Sequence, residues 1–303
     1  MNPAVTAIYV TYNSEDTIAD TLEAARGGYD CGLLRCVAVD NASSDNTCAI
    51  IKERFPWVRL IESAENLGYG RGLNLGFESG VATPYVLYMN PDAVIEPAAI
   101  QQLVAFMDTH TSAGLAAPAI LRRNGAYQVA DGMPTPSVLI RQAMGGHEPS
   151  RRTIEPDSEP FKTDWICGTI MFARKAMIDE IGGFDPRFFL YFEETDLCRR
   201  ALDAGWTIWA VGAAQASHAS NSSARKLRPG LATGGCLTEY YYPSRLYYLV
   251  KHHGWLPAIA TEMVELTARA ARDVARFLTR RPSRQELRRR FEAPVFTLPA
   301  KVG

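Results

Sequence analysis

Short apolar runs alternate with amphipathic stretches along most of this chain of 303 residues. Each run has the length of a buried strand and is too short for a helix. The first runs lie at 4–10, 33–39, 58–61, 85–89 and 115–120. Helical patterns separate them at about 15–25, 47–55 and 97–109. Strands that alternate with helices predict an α/β protein with a mostly parallel central sheet.

The segment 122–160 interrupts this alternation, because glycine, proline and charged residues dominate it and apolar periodicity is lost. Long loops without periodicity are uncommon unless they are functional or disordered. We therefore predict a poorly structured, mobile cover near the site. Strand-like sequence returns at 165–174 and again at 206–211.

The character of the chain changes after residue 235, where an aromatic-rich helical pattern is followed by one with small and apolar residues. This change predicts one domain at 1–235 and a C-terminal helical extension at 236–303. The extension ends in a basic tail, Arg276–Arg290. A basic amphipathic tail of this kind favours contact with an anionic membrane surface, and a charged helix in solvent is an equal alternative.

The composition narrows the classes of protein that fit. Hydrophobic residues make up 47% and charged residues 21%, as in an ordinary globular protein, and a net charge of −1 gives no reason to expect nucleic acid. No apolar run approaches the roughly 20 residues of a spanning helix, and the N-terminus lacks the basic lead of a signal peptide. Six cysteines without a CxxC pair fit reduced thiols. We expect a cytoplasmic protein.

Polar side chains follow three of the predicted strands at the point where each strand ends. They are Thr11, Tyr12 and Asn13 after the first strand, Asp40 and Asn41 after the second, and Asn90 and Asp92 after the strand at 85–89. The carboxyl ends of parallel strands form the ligand-binding edge of an open α/β sheet. The carboxylate of Asp92, with the amide oxygen of Asn90 two residues before it, suits a divalent cation bound to a diphosphate. A simple turn is the alternative for Asn90-Pro91-Asp92.

The glycine-rich stretch 65–76 has neither the spacing of a dinucleotide-binding turn nor that of a P-loop. It predicts a glycine-permitted turn followed by a helix that carries Arg71 and Asn74. These two residues lie three apart, on one helical face. Arg71 suits either a diphosphate or the support of a neighbouring loop.

An acidic group follows an aromatic run at 188–192 and comprises Glu193, Glu194 and Asp196. Acidic residues are common at a helix N-terminus because they interact favourably with the helix dipole. A carboxylate held there against aromatic walls could also serve as a general base. His218 is a natural further ligand if a carboxylate-bound metal lies nearby.

Five stretches in order resemble the family-2 glycosyltransferases of GT-A fold, in particular a bacterial rhamnosyltransferase-like branch. They are Val10-Thr11-Tyr12-Asn13, Val39 to Asp45, Glu65 to Asn74, Asn90-Pro91-Asp92, and Phe192 to Leu197. The resemblance covers about residues 4–255. It implies a Rossmann-like, mixed and mostly parallel sheet flanked by helices, here with the C-terminal helical extension.

By this resemblance the chain is an inverting enzyme that takes a sugar from a nucleotide diphosphate. Nucleotide-sugar binding is expected of Thr11, Tyr12, Asn13, Asp40, Asn41, Arg71, Asn74 and Asn90. A divalent metal, Mg²⁺ or Mn²⁺, is expected on Asp92 and His218. The implied catalytic base is Glu194, with Glu193 beside it. The implied acceptor side comprises Trp165, Asp196 and Arg245.

Two departures from the family pattern affect these expectations. Asn90-Pro91-Asp92 replaces the usual Asp-x-Asp, and Glu193-Glu194 replaces the usual Glu-Asp. The branch implies transfer of L-rhamnose from dTDP-rhamnose to a polysaccharide or lipid-linked acceptor at the inner face of the cell membrane. The alternatives are an inactive nucleotide-sugar-binding protein of the same fold and a nucleotidyltransferase. No lysine lies between residues 10 and 30, which argues against the second alternative.

Overall fold

The computed structural model describes residues 3–146, 150–219, 237–279, 290–291 and 296–299. Its strands are β1 (Val5–Thr11), β2 (Leu34–Asp40), β3 (Arg59–Glu62), β4 (Tyr85–Met89), β5 (Ala93–Ile95), β6 (Ala113–Arg122), β7 (Val129–Ala130), β8 (Arg152–Thr153), β9 (Phe161–Thr163), β10 (Ile170–Arg174) and β11 (Thr207–His218). Its α-helices are α1 (Ile18–Asp30), α2 (Thr47–Arg54), α3 (Tyr69–Glu78), α4 (Pro97–Thr109), α5 (Pro136–Ala143), α6 (Lys175–Ile181), α7 (Glu193–Asp203), α8 (Tyr242–His253) and α9 (Trp255–Leu278). A π-helical turn at Leu237–Tyr241 leads into α8.

In the described residues the central sheet has the order β3-β2-β1-β4-β10-β6-β11-β5, and β9 also pairs with β11. The pairs among β3, β2, β1 and β4 are parallel, and so is the pair of β6 with β11. Strand β10 runs antiparallel to both of its neighbours, β4 and β6. The prediction of a mixed, mostly parallel sheet flanked by helices is confirmed.

The register of these strands creates one polar edge. Thr11 pairs with Asp40, so β1 and β2 end at the same level, and Tyr9 pairs with Met89, so β4 ends two residues earlier at the same side of the sheet. Because β10 is antiparallel to β4, it begins where β4 ends, and Ile170 pairs with Met89. The residues after β1, β2 and β4 and the residues before β10 therefore lie at one edge of the sheet.

The core has a layer on each face of the sheet, because β1 and β4 are buried along their whole length. Ile18 and Leu22 of α1 pack on one face, with Leu103 of α4. Leu73 of α3 and Leu197 of α7 pack on the other. A third apolar cluster joins α8 and α9 to the loop before α7 and contains Phe188, Phe192, Leu246, Tyr248 and Ala258.

The segment 122–160 is more regular than predicted. It contains β7, β8 and α5, and Thr135 caps α5 by accepting a hydrogen bond from Val138 N. Arg272 of α9 donates a hydrogen bond of 2.6 Å to the carbonyl of Ala143 at the end of α5. The prediction of a poorly structured segment is wrong for these elements, because β7 and β8 pair with each other and α5 is held by a helix more than a hundred residues later in the chain. Its mobility stays a prediction.

The C-terminal extension is helical in its described part, and the boundary at 235 lies outside the described residues. In that described part of the chain, no helix has the length and apolar content that crossing a bilayer requires. Most of the basic tail, from 280 to 289, also lies outside it. Arg290 is buried: its Nη2 donates to Glu262 Oε2 at 2.7 Å, and its guanidinium stacks 3.8 Å from the ring centre of Tyr242. Neither alternative for the tail, membrane contact or a helix in solvent, holds for Arg290, because an internal carboxylate binds this side chain.

Candidate active site

A cleft of about 280 Å³ opens at the polar edge of the sheet. The predicted site residues that line it are Tyr12, Asn41, Asn90, Asp92, Glu193, Glu194 and His218. They come from the ends of β1, β2, β4 and β11 and from the start of α7. The cleft therefore brings together side chains that are far apart in the sequence.

Asp40 is buried beside the cleft and organises the turn after β2. Thr11 Oγ1 donates to Asp40 Oδ1 at 2.8 Å, and the backbone N–H of Ser43 donates to Asp40 Oδ2 at 2.8 Å. Asn13, at φ +49°, accepts a hydrogen bond from the N–H of Ser44 and donates its own N–H to Ser43 Oγ. These bonds fix the two loops against each other. Nucleotide binding by Thr11, Asn13 and Asp40 stays a prediction.

The side chain of Asn41 has one polar atom with an internal partner and one without. Its Nδ2 donates to the carbonyl of Gly68 at 3.0 Å, whereas its buried Oδ1 has no hydrogen-bond partner among the described residues. A buried carbonyl oxygen without a partner costs free energy until a donor reaches it. Because Asn41 lines the cleft, a bound molecule is a suitable donor.

Asn74 and Arg71 do not line the cleft in the described structure. Asn74 Nδ2 donates to the carbonyl of Phe184 at 2.8 Å, and the N–H of Phe184 donates to Asn74 Oδ1 at 2.9 Å. Asn74 thus holds the loop that leads to α7. Donor binding by these two residues stays a prediction.

The glycines of α3 serve close packing. A Cβ on Gly76 would lie 2.5 Å from Ile8 Cγ2, and one on Gly72 would lie 2.9 Å from Val10 Cγ1. Only a helix without side chains at these positions can approach β1 so closely. Gly68, at φ +82°, sits against the backbone of Phe189 and turns the chain into α3. The glycine-rich stretch is thus explained by backbone approach.

Asp92 and His218 meet although they are 126 residues apart, because β5 and β11 pair in antiparallel register. His218 Nε2 lies 3.0 Å from Asp92 Oδ1. Asp92 Oδ2 is buried and has no partner among the described residues. A carboxylate with an unpaired oxygen beside an imidazole fits a divalent cation. No three metal-ligating side chains cluster in the described part of the chain, so phosphate and water oxygens would complete the coordination.

Helix α7 begins at Glu193, after two residues in the left-handed region: Tyr191 at φ +67° and Phe192 at φ +68°. Non-glycine residues with such angles are strained and cluster at functional sites. This tight turn delivers Glu193 and Glu194 to the wall of the cleft. Burial raises the pKa of both carboxyl groups, and the negative charge of Glu194 raises that of Glu193 further.

Trp165 supports Glu194 through a relay behind the cleft. Trp165 Nε1 donates to Thr195 Oγ1 at 3.0 Å, and Thr195 Oγ1 donates to Glu194 Oε1 at 3.4 Å. Both groups favour the ionised form of Glu194 and offset part of the effect of burial on its pKa. Contact of Trp165 with an acceptor stays a prediction.

Asp196 is fully buried and is not part of the cleft wall. Its carboxylate accepts hydrogen bonds from Arg200 Nε and His252 Nε2, both at 2.7 Å, and lies 2.6 Å from Lys251 Nζ. Burial by itself would raise the pKa of Asp196, but His252, Arg200 and Lys251 lower it to about 2. Asp196 therefore ties α7 to α8, a role that the sequence did not reveal.

Arg245 is also buried and turned away from the cleft. Its guanidinium donates to Glu262 Oε1 at 2.6 Å and to Glu265 of α9. These carboxylates raise the pKa of Arg245 although burial opposes its charge. Arg245 thus joins α8 to α9, and its contact with an acceptor stays a prediction.

Sequence reasoning missed part of the cleft wall. Cys167, Gly168 and Thr169, which precede β10, line it together with Tyr69, whose hydroxyl donates to the carbonyl of Gly168 at 3.0 Å. The only sequence signal was the position of these residues at the start of a strand. Their place became evident only with the antiparallel pairing of β10.

A mixed sheet with a cleft at its polar edge, lined by the carboxylates of Asp92, Glu193 and Glu194, is typical of a glycosyltransferase of the GT-A type. Residues 6–182 match the family model described as Glycosyl transferase family 2. The chain belongs to this family, and the predicted fold class and enzyme class are confirmed.

Curated relatives and a solved structure agree with this assignment. An N-acetylglucosaminyl-diphospho-decaprenol L-rhamnosyltransferase of Mycobacterium tuberculosis is 30% identical over 240 residues, which are 71% of this chain and 75% of that protein. The dTDP-rhamnosyl transferase RfbF of Shigella flexneri is 23% identical over 258 residues, which are 83% and 79% of the two chains. The mannosyltransferase PcManGT from Pyrobaculum calidifontis, solved with GDP-Man and Mn²⁺, has a TM-score of 0.56 at 15% identity and shares the fold over 89% of this chain and 75% of that one.

Proposed function

We propose that this enzyme transfers L-rhamnose from dTDP-rhamnose, with inversion, to a hydroxyl group of a lipid-linked or polysaccharide acceptor. The observation that carries this proposal is the convergence of Asp92, His218 and Glu194 in one cleft. The sugar and the nucleotide are taken from the relatives, of which one is named an L-rhamnosyltransferase and another a dTDP-rhamnosyl transferase.

The donor occupies the part of the cleft next to the sheet in this proposal. Asn41 Oδ1 and the side chains of Tyr12 and Asn90 are the polar groups available to it. Asp92 and His218 would hold a divalent cation, which supplies positive charge against the diphosphate when it is bound. The hydrogen bonds of Asp40 to Thr11 and Ser43 keep the loops beside the nucleotide in place before the donor arrives.

Glu194 acts as the general base. The acceptor oxygen forms a bond to the anomeric carbon while the bond from that carbon to the diphosphate oxygen breaks, and the hydroxyl proton passes to Glu194. The transition state resembles an oxocarbenium ion, as in glycoside hydrolysis. Burial raises the pKa of Glu194, so its carboxylate is a stronger base than an exposed glutamate.

Glu193 orients the sugar. Its Oε2 is buried and has no partner among the described residues, and burial and the charge of Glu194 raise its pKa. A neutral carboxylic acid can donate a hydrogen bond. We assign Glu193 to a sugar or acceptor hydroxyl, next to the base.

A donor panel tests this function. The purified protein is incubated with dTDP-rhamnose and with UDP- and GDP-linked sugars, with Mn²⁺ or Mg²⁺ and with a chelator control, and nucleotide diphosphate release is measured. The proposal predicts the fastest release from dTDP-rhamnose and its loss with the chelator. Faster release from another donor would overturn the choice of sugar.

An inactive nucleotide-sugar-binding protein is the second candidate. It is favoured by Asn90, which stands where the family pattern has a second carboxylate. Such a protein would be stabilised by a donor without releasing nucleotide. Membership of family 2 speaks against the nucleotidyltransferase alternative.

The acceptor places the enzyme at the cytoplasmic face of the cell membrane in this proposal. The Mycobacterium relative is named for a decaprenol-linked acceptor, which is a lipid. The sequence of the basic tail favours membrane contact and a charged helix in solvent equally, and its residues from 280 to 289 lie outside the described part of the chain.

A further inference from the structure

Helix α9 exposes an unusual set of side chains. Leu256 is 82% exposed, Phe277 81% and Leu278 74%. Trp255, Ile259, Met263 and Val274 are also exposed. Monomeric proteins rarely show a continuous apolar surface along a whole helix unless that surface binds something.

The charged residues of α9 face the other way. Within Trp255–Leu278, all of which the structure describes, the charged residues are Glu262, Glu265, Arg269, Arg272, Asp273 and Arg276. None of these six is exposed: two are buried, and four are half-buried. At 100° per residue they fall within an arc of about 100°. The remaining arc of about 260° contains only apolar residues, proline and threonine.

Internal partners explain this inverted arrangement. Glu262 accepts from Arg245 and Arg290, and Glu265 accepts from Arg245 and Arg269. Through the pairs with Arg245, the charged side chains of α9 attach this helix to α8. The outward face is left without charge over a length of about 36 Å, at 1.5 Å per residue.

We propose that α9 lies in the plane of an anionic phospholipid surface, with Leu256, Met263 and Phe277 immersed between the headgroups. This proposal rests on the function proposed above, because the lipid-linked acceptor is the reason for the enzyme to bind a membrane. The binding itself needs neither donor nor acceptor. An amphipathic helix without the length of apolar sequence needed to span a bilayer lies at the interface.

Charge favours this lipid partner. From residue 276 to residue 289 the sequence has six arginines and one glutamate, and the chain enters this basic stretch directly from the end of α9. Basic segments next to an apolar helix are attracted to anionic headgroups. Trp255, at the start of the helix, is of the type enriched at membrane interfaces.

A second copy of the chain fits the surface less well. A helix that pairs with its own copy needs a narrow apolar seam, flanked by charged residues that fix the register. The exposed large apolar residues of α9 instead span an arc of about 140°, with Ala260 and Thr267 inside it and Ala271 next to it. The broad uncharged face therefore fits a fluid lipid surface better than it fits a second helix.

Vesicle flotation of the full chain tests the proposal. Wild type is mixed with vesicles of phosphatidylcholine containing phosphatidylglycerol, and with vesicles of phosphatidylcholine alone. We expect flotation with the anionic vesicles and weaker binding to the neutral ones. The double variant Leu256→Gln/Phe277→Gln should reduce the bound fraction by about tenfold or more, because two exposed apolar anchors are lost. The matched control Leu121→Gln replaces an exposed apolar residue of β6 and should bind as wild type does.

Two outcomes would overturn the proposal. One is equal flotation of the double variant and wild type. The other is a wild-type dimer in light scattering that does not float and that the double variant converts to a monomer. A thermal melt shows that the variant is folded. Release of nucleotide from the donor is measured without vesicles, so loss of vesicle binding with normal release separates a failure here from a failure of the proposed function.

Discussion

Glu193 and Glu194 are neighbours in the chain with different surroundings. Glu194 Oε1 accepts a hydrogen bond from Thr195, whereas Glu193 Oε2 is buried without a partner among the described residues. Burial raises the pKa of each, and ionisation of one opposes ionisation of the other. The hydrogen bond assigns the charge to Glu194 and the proton to Glu193. In the proposed mechanism this division gives one group for proton removal and one for hydrogen-bond donation.

The pH profile of kcat tests the environment of Glu194. A general base works only when it is deprotonated, so the rate rises as pH rises through its pKa. Because burial raises that pKa, the acidic limb should lie above the ordinary glutamate value of about 4.3. A limb at or below this value would show that Glu194 is well solvated or that another group is the base.

Glu193→Gln tests the cost of burying a second carboxyl group. A carboxyl group whose pKa is higher in the folded state than in the unfolded state makes the folded protein less stable as pH rises from the unfolded pKa to the folded pKa. Glutamine has a similar shape and no charge. The variant should therefore be more stable than wild type at neutral pH, and the difference should shrink as pH falls towards 4. Thermal melts over this range measure the difference.

The control for this variant is Glu53→Gln on the exposed surface of α2, where stability should change little at any pH. A pH-independent difference between Glu193→Gln and wild type would contradict a raised pKa at Glu193.

At the scale of elements, α7 is held by α8 through one buried carboxylate. Asp196 faces Arg200 on its own helix and Lys251 and His252 on α8. Removal of one partner from a buried ion network leaves the others uncompensated. We expect the position of Glu194 to depend on this attachment, although Asp196 itself does not line the cleft.

Asp196→Asn should destabilise the protein by about 3–5 kcal/mol in denaturant unfolding and lower kcat. The lowered pKa means that this contribution is present above the unfolded value of about 3.9 and is lost as pH falls toward about 2. The matched control is Asp203→Asn in the same helix, whose partner Arg199 is at the surface; there the loss should be below about 1 kcal/mol. Equal losses of stability in the two variants would contradict the claim that the buried network of Asp196 holds α7 to α8.

Helix α3 offers a second test at this scale. Gly76→Ala adds a Cβ 2.5 Å from Ile8 and should cost about 1–3 kcal/mol in denaturant unfolding, because α3 or β1 must shift. Gly27→Ala is the matched control on α1, since its Cβ would lie 3.6 Å from Pro97, in ordinary contact. It should be neutral or stabilising by up to about 1 kcal/mol. Similar effects at both glycines would contradict close packing as the reason for the glycine-rich stretch.

At the scale of the molecule, the strand pattern predicted the sheet well because buried strands carry their own apolar signal. It also predicted the polar edge, since parallel strands such as β1 and β2 end together. The convergence of Asp92 and His218 could be expected from the family resemblance, but their contact depends on the pairing of β5 with β11. A one-dimensional pattern contains no such pairing.

The errors have the same origin. In the segment 122–160, β7 and β8 pair with each other and α5 is held by α9, and Arg290 is buried by a carboxylate 28 residues earlier. The partners of Asp196 on α8 and of Arg245 on α9 were likewise not evident from the sequence, and contact of either residue with an acceptor stays a prediction. The identity of a polar residue shows that it needs a partner, and only the fold shows whether that partner is a ligand or a side chain.

The central claim is that Glu194 is the base opposite a donor held at Asp92 and His218. The most direct measurement compares Glu194→Gln with wild type in kcat for dTDP-rhamnose with acceptor and Mn²⁺, and in donor binding by calorimetry, with Glu53→Gln as control. We predict a kcat lower by about 10²–10⁴ and a donor affinity that is nearly unchanged. Turnover at the wild-type rate by Glu194→Gln would contradict the account.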